Sequence, residues 1–299
     1  MNARRLKVIV SLHAKTSHYH QFEALAAQDS SRSHGFEVEI IYADGDALIQ
    51  SQQLLNRIQL PPVCRPNVIM LDPFGSGMVR VAQEAVAAGI GWVVLNREVD
   101  YMAELRRNTQ LPIFSVTNNH LETGRIQARQ LNALLPAGGM ALYLLGTKGS
   151  PAYLLRTQGM QEIKQPNIRL IMLNGSWNEE PAFIAVSKWL QLPTSRDSGV
   201  SVVVAQNDFM AMGARKAFDQ IGRREWSTIK VLGCDGLKDY GLTWTRQGLL
   251  NATVVCPPLS ARAMDILAGE VNQGLRAPAL TLTEPISLPP VGELAAAAS

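Results

Sequence analysis

The chain is predicted to be an α/β protein built as two doubly wound parallel-sheet domains. Short β-branched runs alternate with longer amphipathic ones along its length, which is the pattern of βα units wound into a mostly parallel sheet. About ten such runs occur, more than one compact sheet of this type holds, so they divide into two sheets. Twice, polar groups appear abruptly where an apolar run stops: Gln206, Asn207 and Asp208 follow 202–205, and Asp235 with Gly236 closes 229–234. In an open parallel sheet, small molecules bind in the crevice beyond the carboxyl ends of the strands, so polar atoms placed there meet a ligand.

Strands are expected at 6–12, 36–42, 67–71, 91–95 and 112–116, then at 140–145, 168–173, 200–205, 229–233 and 251–255. Between them, stretches such as Met78, Val79, Val81, Ala82, Ala85 and Val86 repeat apolar residues at three and four positions, one face of a helix. The division is expected near 115–119, after the fifth strand, because each half then holds a comparable set of βα units. Residues 280–290 alternate like a strand until Pro289 and Pro290 stop it, and would close a sheet edge. The final 294–299 carry no pattern and are expected to fray.

The length of 299 residues exceeds what a single core fills, in agreement with two domains. Hydrophobic residues at 46% and charged residues at 18% exclude a disordered chain. A net charge of +3, spread over single residues and pairs such as Arg106-Arg107, gives no footprint for nucleic acid. Cys64, Cys234 and Cys256 are widely spaced without a CxxC pair, so neither a zinc knuckle nor a disulfide framework is expected, and Cys234 reads as a buried apolar thiol. Met1-Asn2-Ala3-Arg4-Arg5 leads directly into 6–10, too short and charged for the apolar region of an export signal. No apolar run approaches the roughly 20 residues that span a bilayer.

Catalytic signatures are missing as well. Gly146-Thr147-Lys148-Gly149-Ser150 has the wrong order for a phosphate loop, and Gly75-Ser76-Gly77 lacks the third glycine of a dinucleotide fingerprint. With no GxSxG elbow, no HExxH and no paired catalytic carboxylates, no catalytic residue, no cofactor and no enzyme activity are expected. His13, His18 and His20 invite a metal, yet no carboxylate or cysteine joins them at ligand spacing in the sequence, so no metal is expected.

Three motifs carry a resemblance. Gln206-Asn207-Asp208-x-Met210-Ala211-x-Gly213, Val231-Leu232-Gly233-Cys234-Asp235-Gly236 and Gly248-Leu249-Leu250-Asn251-Ala252-Thr253-Val254 resemble the C-terminal half of ribose-type periplasmic sugar-binding proteins. The same domain pair forms the effector-binding part of lactose-repressor-like regulators. The resemblance extends from about residue 6 to 290 and is weak in the first half. It implies three crossover segments and an interdomain cleft, with an N-terminal lobe of 1–117 and 257–281 and a C-terminal lobe of 118–256 and 282–299. The hinge would run through 117–119, 255–258 and the region around 281–284.

The resemblance also implies a site. Asn207 and Asp235 match positions that hydrogen-bond sugar hydroxyls, Arg156 in Arg156-x-x-Gly159-Met160 matches an Arg-x-x-Gly-Phe arginine, and Arg97 in Leu95-Asn96-Arg97 matches a Leu-Asp-Arg arginine. Trp177 falls near an aromatic that packs on the sugar ring. Ser11 and the segment 17–22, with Tyr19, correspond to the first loop of the cleft. Asn96 stands where the ribose binders carry an aspartate, and Cys256 replaces a glutamine at the second crossing, so a different sugar or a furanose-like molecule is as reasonable as ribose. Such residue types suit a sugar, whose hydroxyl array needs planar multidentate groups and whose ring face needs an aromatic plate.

Each residue also has an ordinary explanation. Asn207 is a favoured helix N-cap, Asp208 suits a helix first turn, Asp235 before Gly236 suits a turn, and Arg156 could lie on a helix surface. The expected function is non-enzymatic binding of a small sugar-like ligand by hinge closure and its presentation to an ABC-transporter permease or a sensor. The protein is expected to be a monomer, periplasmic by family, although no export signal is read in this chain. The alternative is an effector-sensing regulator in the cytoplasm. Only five residues precede Leu6, so no DNA-binding helix-turn-helix is expected ahead of it.

Overall fold

A computed structural model describes residues 5–75, 77–107, 109–226 and 228–298. Residues 1–4 of the N-terminal segment, Ser76 of the Gly75–Gly77 stretch and Ser299 of the tail lie outside the described residues. The chain forms two compact units, Met1–Asn118 with Pro257–Thr283, and Asn119–Cys256 with Glu284–Ser299. The sequence reading sets the corresponding limits at 117, 256 and 281.

Unit 1 opens with β1 (Lys7–Leu12), α1 (His18–His34), β2 (Glu37–Tyr42), α2 (Ala47–Ile58) and β3 (Val68–Leu71). It continues through α3 (Val79–Ala87), β4 (Gly91–Leu95), α4 (Met102–Arg106) and β5 (Ile113–Asn118). Unit 2 runs α5 (His120–Leu134), β6 (Gly139–Leu145), α6 (Pro151–Ile163), β7 (Ile168–Asn174), α7 (Glu179–Gln191) and α8 (Pro193–Arg196). Then come β8 (Val200–Ala205), α9 (Asp208–Ile221), β9 (Lys230–Leu232), α10 (Gly241–Arg246) and β10 (Thr253–Val255). The chain returns to unit 1 for α11 (Leu259–Gln273) and β11 (Leu280–Thr283), and ends in unit 2 with β12 (Ile286–Leu288) and α12 (Val291–Ala298).

The unit 1 sheet is parallel throughout, with strand order β11-β5-β4-β3-β1-β2. Its inner strands are apolar on both faces because successive side chains point to opposite sides. Val8, Val10 and Leu12 meet α1 and α11 through Ala24, Ala27, Leu259 and Met264, whereas Ile9, Ile69 and Leu71 meet α2 and α3 through Leu54, Ile58, Val81 and Ala82. Unit 2 repeats the plan with β7-β6-β8-β9. Leu142, Leu144 and Val203 face α7 and α9, while Ala141, Tyr143 and Val202 face α5 and α6. β10 joins β9 by an isolated parallel bridge, Leu232 to Ala252, and pairs antiparallel with β12.

Both sheets therefore reverse winding direction beside their first strand: at β1/β3 in unit 1 and at β6/β8 in unit 2. A reversal of this kind opens a crevice at the carboxyl ends of the two strands, since the connections on either side leave in opposite directions.

Two expectations about the tail are corrected. The alternating run 280–290 is two strands, β11 parallel to β5 in unit 1 and β12 antiparallel to β10 in unit 2, with the break at Glu284-Pro285. The segment read as frayed forms α12. Its Leu294 is buried against Ala128 and Leu131 of α5, and the alanines that carry no amphipathic signal are the strongest helix formers.

Candidate functional site

In unit 2 the site begins with the position of α6. Gly124 on α5 and Gly159 on α6 let the two helices touch backbone to backbone: a β-carbon at Gly124 would lie 2.1 Å from the Arg156 carbonyl oxygen, and one at Gly159 2.1 Å from that of Leu121. This close crossing brings Arg156, on the same helix, inward until only 4% of it is exposed. Its Nη1 donates to the Gln206 carbonyl and to Asp235 Oδ1 at 3.4 Å, and its Nη2 reaches the same carboxylate oxygen at 3.3 Å. The guanidinium carbon lies 5.6 Å from the Trp177 ring centroid, within the range of a cation–π contact. Trp177 in turn packs closely against Gly146, where any β-carbon would collide with the indole.

Gln206 is the fixed point beneath this arrangement. It is fully buried; its Oε1 accepts from Gly146 N at 2.9 Å, and its Nε2 reaches Tyr143 Oη and Thr157 Oγ1, each at 3.0 Å. Asn207 is the N-cap of α9. Its Oδ1 accepts from Met210 N at 2.8 Å and its Nδ2 donates to the Trp177 carbonyl at 2.8 Å, leaving one amide proton for another partner. The ordinary reading of Asn207 as a cap is thus realised, and the same side chain steadies the tryptophan.

Asp235 sits beyond β9 with φ of 100°, held by its own N–H to the Val254 carbonyl and by Cys256 N–H to its carbonyl. Burial pushes the Asp235 carboxyl up from its ordinary value, opposed by the Arg156 charge. Burial also works against the Arg156 charge, but the Cys234, Asp235 and Cys256 groups, anionic at the pH where arginine titrates, raise its pKa above the ordinary value. Asp208 is wholly internal: Gly236 N donates to Oδ2 at 2.8 Å and Thr253 Oγ1 to Oδ1 at 2.6 Å. Burial and the nearby Asp235 push its carboxyl well above its usual range.

In unit 1 the centre is Asp72, the residue that follows β3, only 2% exposed. Asn96, directly after β4 with φ of 66°, donates from Nδ2 to Asp72 Oδ2 at 3.2 Å. His13 Nε2, from the residue after β1, stands 3.4 Å from Asp72 Oδ1, and His20 Nε2, from the first turn of α1, 3.5 Å from Oδ2. Burial alone would raise the Asp72 carboxyl, but His13 and His20 outweigh it and hold it well below the usual carboxylate range. Burial works against the His13 charge, and Asp72 more than offsets it, raising the imidazole. Arg97 Nη1 donates to the Gly75 carbonyl at 3.1 Å, and its Nε is buried without a partner. The Tyr19 ring meets His20 edge to face at 5.4 Å.

Arg156, Trp177, Asn207 and Asp235 are brought together in unit 2, and Asn96, Arg97 and Tyr19 lie with or beside the Asp72 cluster in unit 1. Two expected ligand residues are corrected. Ser11 is fully buried within β1, where its hydroxyl accepts from Gln50 Nε2 at 3.1 Å. It shares the face of Ile9, which points to α2. Cys256 packs in an apolar cluster with Ile126, Cys234 and Val254. Asp72 and Gln206 were missed as candidates, although both follow an apolar strand directly, the signal that singled out Asn207 and Asp235. The argument against a metal at the histidines also changes, because folding supplies the carboxylate that the local sequence lacks.

Comparison with known proteins agrees with this architecture. Residues 8–268 match the family model described as a periplasmic binding protein domain. The chain is 24% identical over 239 residues to the D-apiose import binding protein of Actinobacillus succinogenes, covering 79% of this chain and 71% of the relative. It is 25% identical over 259 residues to the ribose import binding protein of Bacillus subtilis, covering 84% of this chain and 78% of that one. The crystal structure of a galactofuranose binding protein superposes with a TM-score of 0.81 at 22% identity, over 97% of both chains. The chain belongs to the periplasmic binding protein domain family.

Proposed function

We propose that this protein is the non-enzymatic solute-binding component of a sugar import system, taking a small neutral sugar or sugar-like ligand and handing it to a membrane permease of the ABC type. The observation that carries the reading is the Arg156–Asp235–Trp177 set at the carboxyl end of the unit 2 sheet: a fixed guanidinium, a carboxylate and an aromatic plate. Hydrogen bonds to charged groups contribute about 1.5–3 kcal/mol each, and a missing hydroxyl leaves a buried partner unsatisfied, so such a set selects by hydroxyl pattern. Asn96 and Arg97, just past β4, place a second set of polar groups at the carboxyl end of the unit 1 sheet. The import-protein names of the two relatives support this reading, and a periplasmic monomer is the form that fits it.

With Asn96 in place of an aspartate, a different sugar or a furanose is as reasonable a ligand as ribose. A thermal-shift screen of pentoses, hexoses, deoxy sugars, furanosides and cyclic polyols tests the proposal. A ligand present at 100 times its Kd stabilises the native state by about 2.7 kcal/mol and raises the melting temperature. A screen in which no sugar or polyol moves the melting temperature counts against it.

A further inference from the structure

His13, His20 and Asp72 converge from three separate elements, β1, α1 and β3, at the point where the unit 1 sheet reverses its winding. One potential ligand atom from each lies within 4.8 Å of the others. The two His–Asp separations, 3.4 and 3.5 Å, exceed normal hydrogen-bond length. Each imidazole faces a different oxygen of the carboxylate, His13 facing Oδ1 and His20 facing Oδ2. His13 Nε2 and Asp72 Oδ1 are buried and make no hydrogen bond of normal geometry.

The surroundings are built to hold this geometry. Fully buried Gln50 donates to Ser11 Oγ at 3.1 Å and to the Asp72 carbonyl at 2.9 Å, and accepts from Phe74 N at 2.8 Å, so the turn after β3 is pinned to β1 and α2. Asn96 steadies the second carboxylate oxygen; an outer-shell hydrogen bond of this kind orients a ligating carboxylate. The ring centroids of His13 and His20 are 4.7 Å apart, a spacing at which two imidazolium ions repel and two neutral imidazoles sharing one cation do not.

We propose that His13, His20 and Asp72 form a binding site for a divalent first-row transition metal such as Zn²⁺. Two imidazoles and one carboxylate make a three-ligand site that leaves a coordination position for water or for an oxygen of a bound solute. All three ligands belong to unit 1, so the site stands or falls independently of sugar recognition by unit 2.

The test is calorimetric titration of the full chain, stripped with chelator, with ZnCl₂ above the histidine pKa, alongside Co²⁺ absorption spectroscopy. The wild type binds one Zn²⁺ per chain, and Co²⁺ shows the intense visible bands of a low-coordinate site. Asp72→Asn and His13→Gln each weaken binding by about a hundredfold or more, while His34→Gln, at the surface pair with Asp265, leaves it unchanged. If Asp72→Asn fails to fold, His13→Gln and His20→Gln carry the test. Absence of one-to-one binding, or binding that survives the ligand substitutions, overturns the proposal whatever the sugar screen returns.

Discussion

Asp72 in unit 1 and Asp235 in unit 2 are placed by the same rule, each just beyond a parallel strand of its own sheet, yet their protonation is pushed in opposite directions. Asp72 is held well below the usual carboxylate range and Asp235 is raised. Burial penalises both, so the neighbours decide the sign. Asp72 has two imidazoles beside it. Asp235 shares one arginine with the Gln206 carbonyl and the Trp177 ring, and has the buried Asp208 carboxyl nearby. At these two positions the charged neighbours, set against the same burial, decide the direction of the shift. A consequence is that the Arg156 guanidinium of unit 2 keeps its charge over the physiological pH range, since guanidinium does not titrate there.

The largest expected effect that tests this comparison is Arg156→Ala. Removing one partner of a buried ion pair leaves the other uncompensated, so we expect unfolding free energy to fall by about 3–5 kcal/mol in urea denaturation. A loss below about 1 kcal/mol would mean that Asp235 is already neutral and needs no counterion. Gln50→Leu comes next, because it strips partners from Ser11, the Asp72 carbonyl and the Phe74 N–H without touching a carboxylate. A loss of about 2 kcal/mol is expected from the same measurement; an unchanged midpoint would show that the turn is held by other contacts.

Asp208→Asn gives the smallest stability effect and the clearest sign. Its folded pKa lies well above the ordinary 3.8, so its contribution is full below that value and is lost as pH rises through the folded pKa. The amide mimics the protonated acid, accepting from Gly236 N and facing Thr253 Oγ1. The stability difference, wild type minus variant, should therefore decrease as pH is raised from acid to neutral in a series of urea titrations. A difference that grows with pH would show that the ionised carboxylate is the stabilising form.

Much of the fold could be read from the residues. β4 and β8 lie where the apolar runs place them, at Gly91–Leu95 and Val200–Ala205, because a strand buried on both faces leaves an uninterrupted hydrophobic run. The Arg156 spacing was informative for a related reason, since the glycine three residues on permits the helix crossing that buries the arginine. Ser11 misled because nearness to a strand end says nothing about which face a side chain takes; period two sends it toward α2 and Gln50. The cluster at Asp72 escaped notice because its parts are far apart in the chain and meet only through the pairing of β1 with β3. α12 escaped because an alanine run has no periodicity, and only its contact with α5 gives it a buried side.

The central claim, that the Arg156–Asp235 set at the carboxyl end of the unit 2 sheet binds a sugar, is tested most directly by calorimetric titration of the sugar found in the screen into wild type and Asp235→Asn. We expect the substitution to weaken binding at least about tenfold, about 1.4 kcal/mol. Affinity untouched by it would contradict a sugar site built on these residues.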